Sequence, residues 1–413
     1  MSARVLEIRA KFLYIPGCML VSFEDPSTFT ANVRLVRAEN SIDLGKLHEM
    51  YLTYKAVLHD RIGASEGSQV LDDLAKKQTK YSPWVVVLFY GLASAFVGPF
   101  AFGARLIDLP IALILGCLIG YLKVMLSAKS SLYSNVFEVS ATVLTSFLAR
   151  ALGSIKGGSL FCFSALAQSS IALILPGYTV LCSALELQSR SIVAGSVRMV
   201  YAIIYSLFLG FGITIGTSIY GSIDKNAISE VKCRDSLSGN WSFLFVLVFT
   251  FCLIVINQGK WIQMPVMLVI SLVGYVVNHF SVLKFTSNVQ VAQTLGALTI
   301  GVLGNLYSRF FHGLSAAALL PAIFVQVPSG LAASGSLISG LASANQILNG
   351  TVNGTTTVSN ATQAGSGTID INSTVFNVGY SMIQVAIGIT VGLFLSSLLI
   401  YPFGKRRSGL FSF

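Results

Sequence analysis

Long apolar runs constrain this chain more than any other feature. From Trp84 to the C-terminus, stretches of about 20 apolar residues recur with few charges between them. A helix needs about 20 such residues to cross the hydrocarbon core of a bilayer. Only 11% of the residues are charged, against roughly 25% in soluble domains. The sequence therefore predicts an all-α polytopic membrane protein.

Ten runs are candidate transmembrane helices. They lie near residues 84–104, 107–126, 135–155, 159–180, 192–220, 241–257, 262–281, 289–307, 315–338 and 377–401. No signal peptide pattern precedes the first run, so we expect that run to target the chain itself. Because ten is even, both termini are predicted on the same side of the membrane.

Basic residues indicate which side that is. Lys76, Lys77 and Lys80 precede the first run, and Lys405, Arg406 and Arg407 follow the last. Basic residues flanking spans remain on the cytoplasmic side, so both termini are predicted to be cytoplasmic. This placement accounts for much of the net charge of +10 without invoking nucleic acid as a partner.

Residues 1–80 are predicted to form a small cytoplasmic α/β domain. Segments 12–23 and 32–39 are rich in β-branched and aromatic residues, as strands are. Segments 44–62 and 65–78 have helical spacing, and Ser65 is a candidate helix cap.

The apolar part contains an internal repeat. Pro110, Gly120, Ser134 and Pro176 have counterparts 155, 154, 153 and 152 residues later, in the same order. The ordered series predicts two five-helix halves, 81–221 and 241–404, joined by a loop at 222–240 and followed by a tail at 405–413. An odd number of spans in each half inverts the second half relative to the first. Inverted repeats are typical of secondary transporters, although duplication also produces channels and scaffolds.

A polar segment, 341–376, interrupts the second half and is predicted to face away from the cytoplasm. It is rich in Asn, Thr, Ser and Gly. It holds four N-glycosylation sequons, at Asn349, Asn353, Asn360 and Asn372. Their agreement with the charge-based orientation indicates a membrane of the secretory pathway, either the plasma membrane or an endomembrane such as the vacuole.

Pro176 and Gly177 lie inside an apolar stretch of 29 residues, 159–187. The pair can simply end a span, because Pro lacks a backbone donor and Gly favours helix ends. It can also break a span into two half-helices, the second aiming its positive N-terminal end at an anionic solute. A proline recurs at the matching place in the second half, in the segment Pro328-Ser329-Gly330, which favours the second interpretation.

Several ionisable residues lie in or beside the runs, where such residues often mark substrate or proton routes. Glu186 and Arg190 are four residues apart and could form a local ion pair, while Glu186 and Arg198 have the longer apolar flanks that predict burial. Asp108 corresponds to Gln263 in the repeat, so it suits either a coupling residue or a helix cap. Glu138, at the start of the third run, is a further candidate for the transport route.

Other chemistries have little support. The six cysteines form no CxxC motif and the four histidines are dispersed, so we expect no metal site and no disulfide framework. No nucleotide-binding or protease motif is present. We therefore expect no cofactor and no enzymatic activity.

Three segments resemble the fungal pheromone-regulated membrane proteins, a branch of the threonine/serine exporter family. They are SPWVVVLFYGLASAFVGPFAFGARLIDLPIA, FEVSATVLTSFLARALGSI and FCFSALAQSSIALILPGYTVLCSALELQSRSIVAGSVRMVYAIIYSLFLGFGITIG. The resemblance covers nearly the whole chain and is strongest over 81–220. It implies a cytoplasmic domain followed by ten spans in two related halves. It also implies a longer N-terminal segment than residues 1–80 provide, so we expect these residues to be a shortened domain.

The resemblance also implies functional residues. It matches Pro176, Gly177, the following Glu186, and Gly195 and Arg198 of the next span to family motifs, and Asp108 to an acidic position between the first two spans. The second half departs from the pattern, since Pro328-Ser329-Gly330 stands where relatives have Pro-Gly.

Two functions follow as hypotheses. The first is a secondary transporter that exports a small carboxylate-bearing solute, such as a threonine/serine-like amino acid or a dicarboxylate, using an ion gradient. The alternative is a non-transporting membrane protein that acts through partners in fungal mating or cell fusion. The expected partners of the first are the lipid bilayer and the solute, with proton coupling and a homo-oligomer left open.

Overall fold

The computed structural model describes most of the chain. The described residues are 9–25, 30–37, 42–158, 160–188, 191–224, 227, 233, 241–285, 289–311, 313–334 and 371–401. The sequons Asn349, Asn353 and Asn360 and the basic tail at 405–413 lie outside them.

The N-terminal part begins with a three-stranded antiparallel sheet of β1 (Ala10–Ile15), β2 (Cys18–Asp25) and β3 (Thr30–Arg37), in that order. The strand-like segment 12–23 is thus two strands joined by a tight turn. Gly17 occupies that turn with φ of +89°, a conformation that glycine adopts without steric cost. The predicted mixture of strands and helices in this part is confirmed.

Two helices follow the sheet, α1 (Leu44–Leu58) and α2 (Ala64–Lys76). The Asp43 side chain caps α1 by accepting a hydrogen bond from the Lys46 amide at 2.8 Å. The predicted cap of α2 is wrong, because Gly63 holds the cap position and Ser65 already lies within the helix.

The rest of the described chain is helical. Its α-helices are α3 (Pro83–Val97), α4 (Leu109–Tyr121), α5 (Ser131–Gly153), α6 (Phe163–Ile171), α7 (Gly177–Gln188), α8 (Ile192–Ile223), α9 (Ser242–Ile256), α10 (Met264–Lys284), α11 (Val289–Phe311), α12 (Ser315–Ser334) and α13 (Ile371–Ile400). Because α13 begins at Ile371, the polar loop is shorter than the predicted 341–376. Asn372 lies in the first turn of that helix, and its side chain is outside the described residues.

Six helical stretches among the described residues are long and apolar enough to cross a membrane: Pro83–Phe102, Leu106–Ser127, Val136–Gly153, Ile192–Ile223, Met264–Lys284 and Ile383–Ile400. Two shorter apolar helical stretches, Ser242–Ile256 and Ala317–Val327, accompany them. The chain is therefore an integral membrane protein.

Two residues that correspond in the predicted repeat lie at the starts of helices. Asp108 precedes α4 and Gln263 precedes α10, and each helix carries a proline in its first turn, Pro110 and Pro265. Proline suits this position because its missing N–H would have no helical partner there. The sequence correspondence thus places equivalent residues at equivalent helix ends.

Helices α3 and α4 pack closely through glycine. A Cβ atom on Gly91 would overlap the Cys117 sulfur and lie 2.7 Å from the Leu113 carbonyl oxygen. In the helical turn Gly98–Phe102 that follows α3, the Phe100 ring meets Phe249 of α9 and Tyr275 of α10, with ring centroids 5.4 and 5.5 Å apart. The main hydrophobic core therefore joins helices from both halves of the sequence.

The N-terminal part docks on the short connection between α9 and α10. The Leu44 amide donates to the Asn257 carbonyl at 3.0 Å, and the Tyr81 amide donates to the Gln258 side chain at 3.1 Å. Glu49 pairs with Lys260 at 3.0 Å and with Lys77 at 3.2 Å. These contacts fix which end of the helical bundle the N-terminal part covers.

A disulfide joins Cys162 to Cys233, so the expectation of no disulfide is wrong. The Cys162 amide donates to Asp108 Oδ1 at 2.9 Å, and Asp108 follows the end of the first apolar stretch, Pro83–Phe102. That stretch begins beside Tyr81 and has 20 residues, or about 30 Å at 1.5 Å per residue. The disulfide therefore lies at the end of the bundle opposite the N-terminal part.

The close contact at Gly91 gives a stability prediction. Gly91→Val would force α3 and α4 apart, and we expect it to lower the free energy of unfolding by about 1–3 kcal/mol. Leu88→Val is the matched control, since half of the Leu88 surface is exposed, and its effect should stay within about 0.5 kcal/mol. Unfolding in mixed micelles measures the change in the free energy of unfolding for both variants, and equal changes would contradict close packing at Gly91.

The docking contacts give a pH prediction. His48 Nδ1 lies 2.9 Å from the Gln263 amide nitrogen, so neutral His48 accepts this bond when the amide donates. Burial lowers the pKa of His48 below its ordinary 6.5, helped by Lys260 and opposed by Glu49. A lowered pKa means that this stabilisation is complete above about pH 6.5 and is lost as pH falls toward the folded value.

Glu49 acts in the same direction. Burial alone would raise the pKa of its carboxyl, but Lys260 and Lys77 outweigh burial and hold the pKa lower. We therefore expect acid to loosen docking, with the His48 contribution lost first. Electron-resonance distances between spin labels at exposed positions 68 and 132 would lengthen below pH 6.5. His48→Gln should remove that first step; an unchanged profile would refute the assignment.

Candidate functional site

The fourth apolar run is broken inside the protein. Helix α6 ends at Ile171 and α7 begins at Gly177, and the Val180 amide donates to the Pro176 carbonyl at 3.0 Å. Pro176 and Gly177 are buried, as is Leu175 just before them. A helix can end at membrane depth only where protein or water replaces its lost backbone bonds. The predicted interruption is confirmed, and surrounding helices cover it.

The break packs against α12 of the second half. A Cβ atom on Gly177 would lie 2.6 Å from a Val327 methyl group, so only glycine permits this approach. The Tyr178 ring stacks on Phe324, with centroids 6.1 Å apart. These two regions correspond to each other in the predicted repeat, and in the structure they are in contact.

The matching interruption at Pro328 is absent. Helix α12 runs unbroken from Ser315 to Ser334, through Pro328, Ser329 and Gly330. Proline within a membrane helix is tolerated where neighbouring helices satisfy the freed carbonyl group. The side chains of residues 328–330 are outside the described residues, so their contacts stay untested.

Buried amide side chains lie around Gly296 of α11. Gln326, next to Val327, is fully buried, and its amide occupies the space that a Cβ on Gly296 would fill, near Asn278. Gln293, one turn from Gly296 on α11, is also fully buried, and its amide atoms have no hydrogen-bond partner among the described residues. These amides were not among the predicted site residues; the signal in the sequence is the occurrence of Gln and Asn within apolar runs.

Glu186 and Arg198 form the ion pair of this region. Glu186 Oε1 lies 3.4 Å from Arg198 Nε, and the exposed fractions of the two side chains are 0% and 15%. The predicted burial of the carboxylate is confirmed. Arg190, the partner suggested by four-residue spacing, lies outside the described residues.

Gly195 brings the pair together. A Cβ atom on Gly195 would lie 2.7 Å from Leu187 Cγ, and the Ser183 hydroxyl donates to the Gly195 carbonyl at 2.9 Å. Helices α7 and α8 therefore form a tight hairpin, which sets Arg198, one turn after Gly195, beside Glu186. Gly195 thus acts here through packing.

Asp108 lies elsewhere, at the disulfide end of the bundle. Its carboxylate is fully buried and accepts hydrogen bonds from the Arg105 amide at 3.0 Å and the Cys162 amide at 2.9 Å. It makes no side-chain cap on α4. Arg105 Nη2 in turn donates to the Leu160 carbonyl at 2.8 Å. This geometry ties two connections together and favours a structural role.

Glu138 occupies a third place. It is half-buried on α5, close enough to Lys123 and to Tyr201 and Tyr205 of α8 to interact electrostatically with them. The candidate residues therefore fall into three groups: the break with the Glu186–Arg198 pair, the Asp108 cluster, and the surroundings of Glu138. Among the described residues no group of three or more His, Cys, Asp or Glu side chains could hold a metal ion.

Comparison with known families decides the class of protein. The model of the ThrE threonine/serine exporter family matches residues 1–220, more than half of the chain. The chain belongs to the threonine/serine exporter family. A second model, described as "Threonine/Serine exporter, ThrE", matches residues 242–399, so both halves have a counterpart in family models. The resemblance noted in the sequence is confirmed.

Its relatives are fungal. The chain is 52% identical over 414 residues to the pheromone-regulated membrane protein 10 of Candida albicans strain SC5314, covering all of this chain and 37% of that protein. It is 52% identical over 416 residues to an uncharacterized protein of Schizosaccharomyces pombe, covering all of this chain and 53% of that protein. The chain thus spans about half or less of these relatives' length. No solved structure matches.

The buried ion pair gives a coupling prediction. Glu186→Gln leaves the Arg198 charge less compensated, and Arg198→Gln does the same to Glu186. We expect each to lower the free energy of unfolding by up to about 3 kcal/mol. The free energy of unfolding of the double variant should fall by less than the sum of the two single losses. The second substitution removes the buried charge that the first left without its partner.

Unfolding of the single and double variants in mixed micelles provides the double-mutant cycle. The Lys11–Glu24 pair, also in salt-bridge contact at 2.6 Å but with side chains 78% and 39% exposed, is the matched control and should show little coupling. Strictly additive losses at positions 186 and 198 would show that the two side chains do not depend on each other.

Proposed function

We propose that this chain is a secondary transporter that exports a small carboxylate-bearing solute, a threonine/serine-like amino acid or a dicarboxylate, driven by an ion gradient. One observation carries the proposal: an apolar segment is broken at Pro176–Gly177, and the start of its second helix meets the other half of the bundle. Broken helices that meet at the interface between repeats are where secondary transporters bind their solutes. The family assignment supports the same activity.

The start of α7 suits a carboxylate. The first N–H groups of a helix have no helical partner and carry the positive end of the macrodipole. The N–H groups at this helix start can orient one carboxylate without a fixed opposing charge.

Proton coupling is assigned to Glu186. It lies nine residues after Gly177 on α7, so the two ends of the site are about 14 Å apart along the helix. A buried carboxylate that is separated from its cationic partner is left as an uncompensated charge, which is strongly unfavourable. If a conformational change separates Glu186 from Arg198, uptake of a proton by Glu186 removes that cost. Asp108 is less suited, because both of its oxygens already accept hydrogen bonds from backbone amides.

We further propose ten crossings in two inverted halves, with α6 and α7 together forming one crossing and both termini in the cytoplasm. Equivalent helix starts at Pro110 and Pro265 support the repeat. The Cys162–Cys233 disulfide supports the orientation, because disulfides persist in oxidising compartments and rarely in the cytosol. A secretory-pathway membrane would place the disulfide away from the cytoplasm and the N-terminal part within it.

A second function has one specific support: several relatives are named pheromone-regulated membrane proteins. A partner-binding role would then depend on the polar loop. Deleting residues 345–370 separates the two functions. A transporter whose pathway lies in the bundle should keep its transport rate, whereas a partner role should be lost.

Transport in proteoliposomes tests the first function. With an imposed proton gradient, we expect movement of labelled threonine, serine or a dicarboxylate, and an at least tenfold lower rate for Glu186→Gln, roughly the effect of losing one charge-assisted interaction. Solute exchange without a gradient should survive, because the site at Gly177 is intact. Glu138→Gln is the matched control carboxylate.

Two results would count against this assignment. If no labelled solute moves in any condition, the transporter proposal fails. If Glu138→Gln and Glu186→Gln impair gradient-driven transport equally while exchange also falls, Glu186 is not the coupling residue.

A further inference from the structure

The N-terminal sheet contacts the Glu186–Arg198 ion pair. Strand β1 lies against the beginning of α8, where the Arg198 guanidinium donates a hydrogen bond to the Tyr14 hydroxyl. The same guanidinium lies 5.5 Å from the centroid of the Tyr14 ring, within the range of a cation–π interaction. Arg198 is therefore held by the N-terminal sheet on one side and by the buried carboxylate on the other.

The position of this contact allows it to restrain the α7–α8 hairpin. Arg198 lies one turn after Gly195, where α7 and α8 are packed too closely to admit a Cβ atom. The Ser183 hydroxyl bond to the Gly195 carbonyl closes the same hairpin. Any opening of this end of α7 must move Arg198 relative to Glu186, and that movement must also break or carry along Tyr14.

Tyr14 differs from Phe12, two residues earlier on the same face of β1, in its hydroxyl group. Both side chains are exposed, at 39% and 55%, but Phe12 has no polar group that could bind Arg198. A hydrogen bond to a charged group is worth more than one between neutral groups. The hydroxyl and ring of Tyr14 together favour the conformation in which Arg198 pairs with Glu186.

We propose that the N-terminal sheet is a latch, in which Tyr14 holds Arg198 against Glu186 and keeps this end of the α7–α8 hairpin closed. The latch makes the N-terminal part a regulator of the bundle: when the sheet leaves, Arg198 loses its outer partner and the hairpin opens. That the opening admits a solute rests on the proposed transport function. The latch itself does not.

Cys182 is a natural reporter of the latch. It lies on α7 one turn before Glu186 and is 3% exposed. The other free cysteines are Cys18, Cys117 and Cys252, and replacing them with Ser or Ala leaves Cys182 as the one reactive thiol while keeping the disulfide. The rate at which N-ethylmaleimide alkylates the full chain in nanodiscs then reports how often the hairpin opens.

We expect Tyr14→Ala to raise the Cys182 alkylation rate about tenfold or more, the factor that corresponds to one lost hydrogen bond to a charged group. Tyr14→Phe, which keeps the ring, should give a smaller increase. Phe12→Ala is the matched control on the same face of β1 and should leave the rate unchanged. A second background that keeps only Cys252, buried on α9, measures general loosening of the bundle.

The outcomes separate cleanly. If Tyr14→Ala leaves Cys182 protected, or if Phe12→Ala or the Cys252 background shows the same acceleration, the latch is refuted. If Cys182 is exposed selectively but proteoliposomes move no solute, the latch stands and the transport function falls. If Tyr14→Ala exposes Cys182 selectively and the proteoliposomes do move solute, Tyr14→Ala should also change the transport rate.

Discussion

The absence of water in the hydrocarbon core governs this structure. Backbone groups there must bond within the segment that carries them, so the chain is built from helices, and a helix may stop only where other helices surround its end. The interruption between Ile171 and Gly177 meets that condition, because the residues around it are buried against α12. The proposed solute site depends on this covered break.

Close backbone approach covers the break at Gly177 and recurs at two other helix contacts. Gly177 admits Val327, Gly195 admits Leu187, and Gly296 admits the Gln326 amide. Each glycine lets a neighbouring side chain occupy the space of a missing Cβ. At Gly296 the close contact also places a polar amide between helices, which an apolar helix pair would not need.

The sequence predicts much of the local structure because local signals are strong. Apolar length marks the helices, Pro110 and Pro265 mark two helix starts, and Pro176–Gly177 marks the break. The apolar flanks of Glu186 also predicted its burial correctly. These features depend on a few consecutive residues, so no knowledge of distant contacts was needed.

Long-range partners were not predictable in the same way. Spacing suggested Arg190 as a partner of Glu186, a residue outside the described part of the chain, but it did not suggest Arg198, which the hairpin closed by Gly195 places beside Glu186. The Tyr14–Arg198 contact joins residues 184 positions apart, and the cysteines of the disulfide are 71 apart with no motif to pair them. Pro328 shows the reverse error: its local signal predicted a break, but α12 continues through it.

The Cys162–Cys233 disulfide has a mechanical consequence. The covalent loop that it closes contains α6, α7 and α8, so the broken segment and the long helix after it are tied together at one end of the bundle. The disulfide keeps the two ends of this unit from separating from each other. Relative movement of α7 and α8 is therefore least restricted by the disulfide at the opposite end, where Tyr14 meets Arg198.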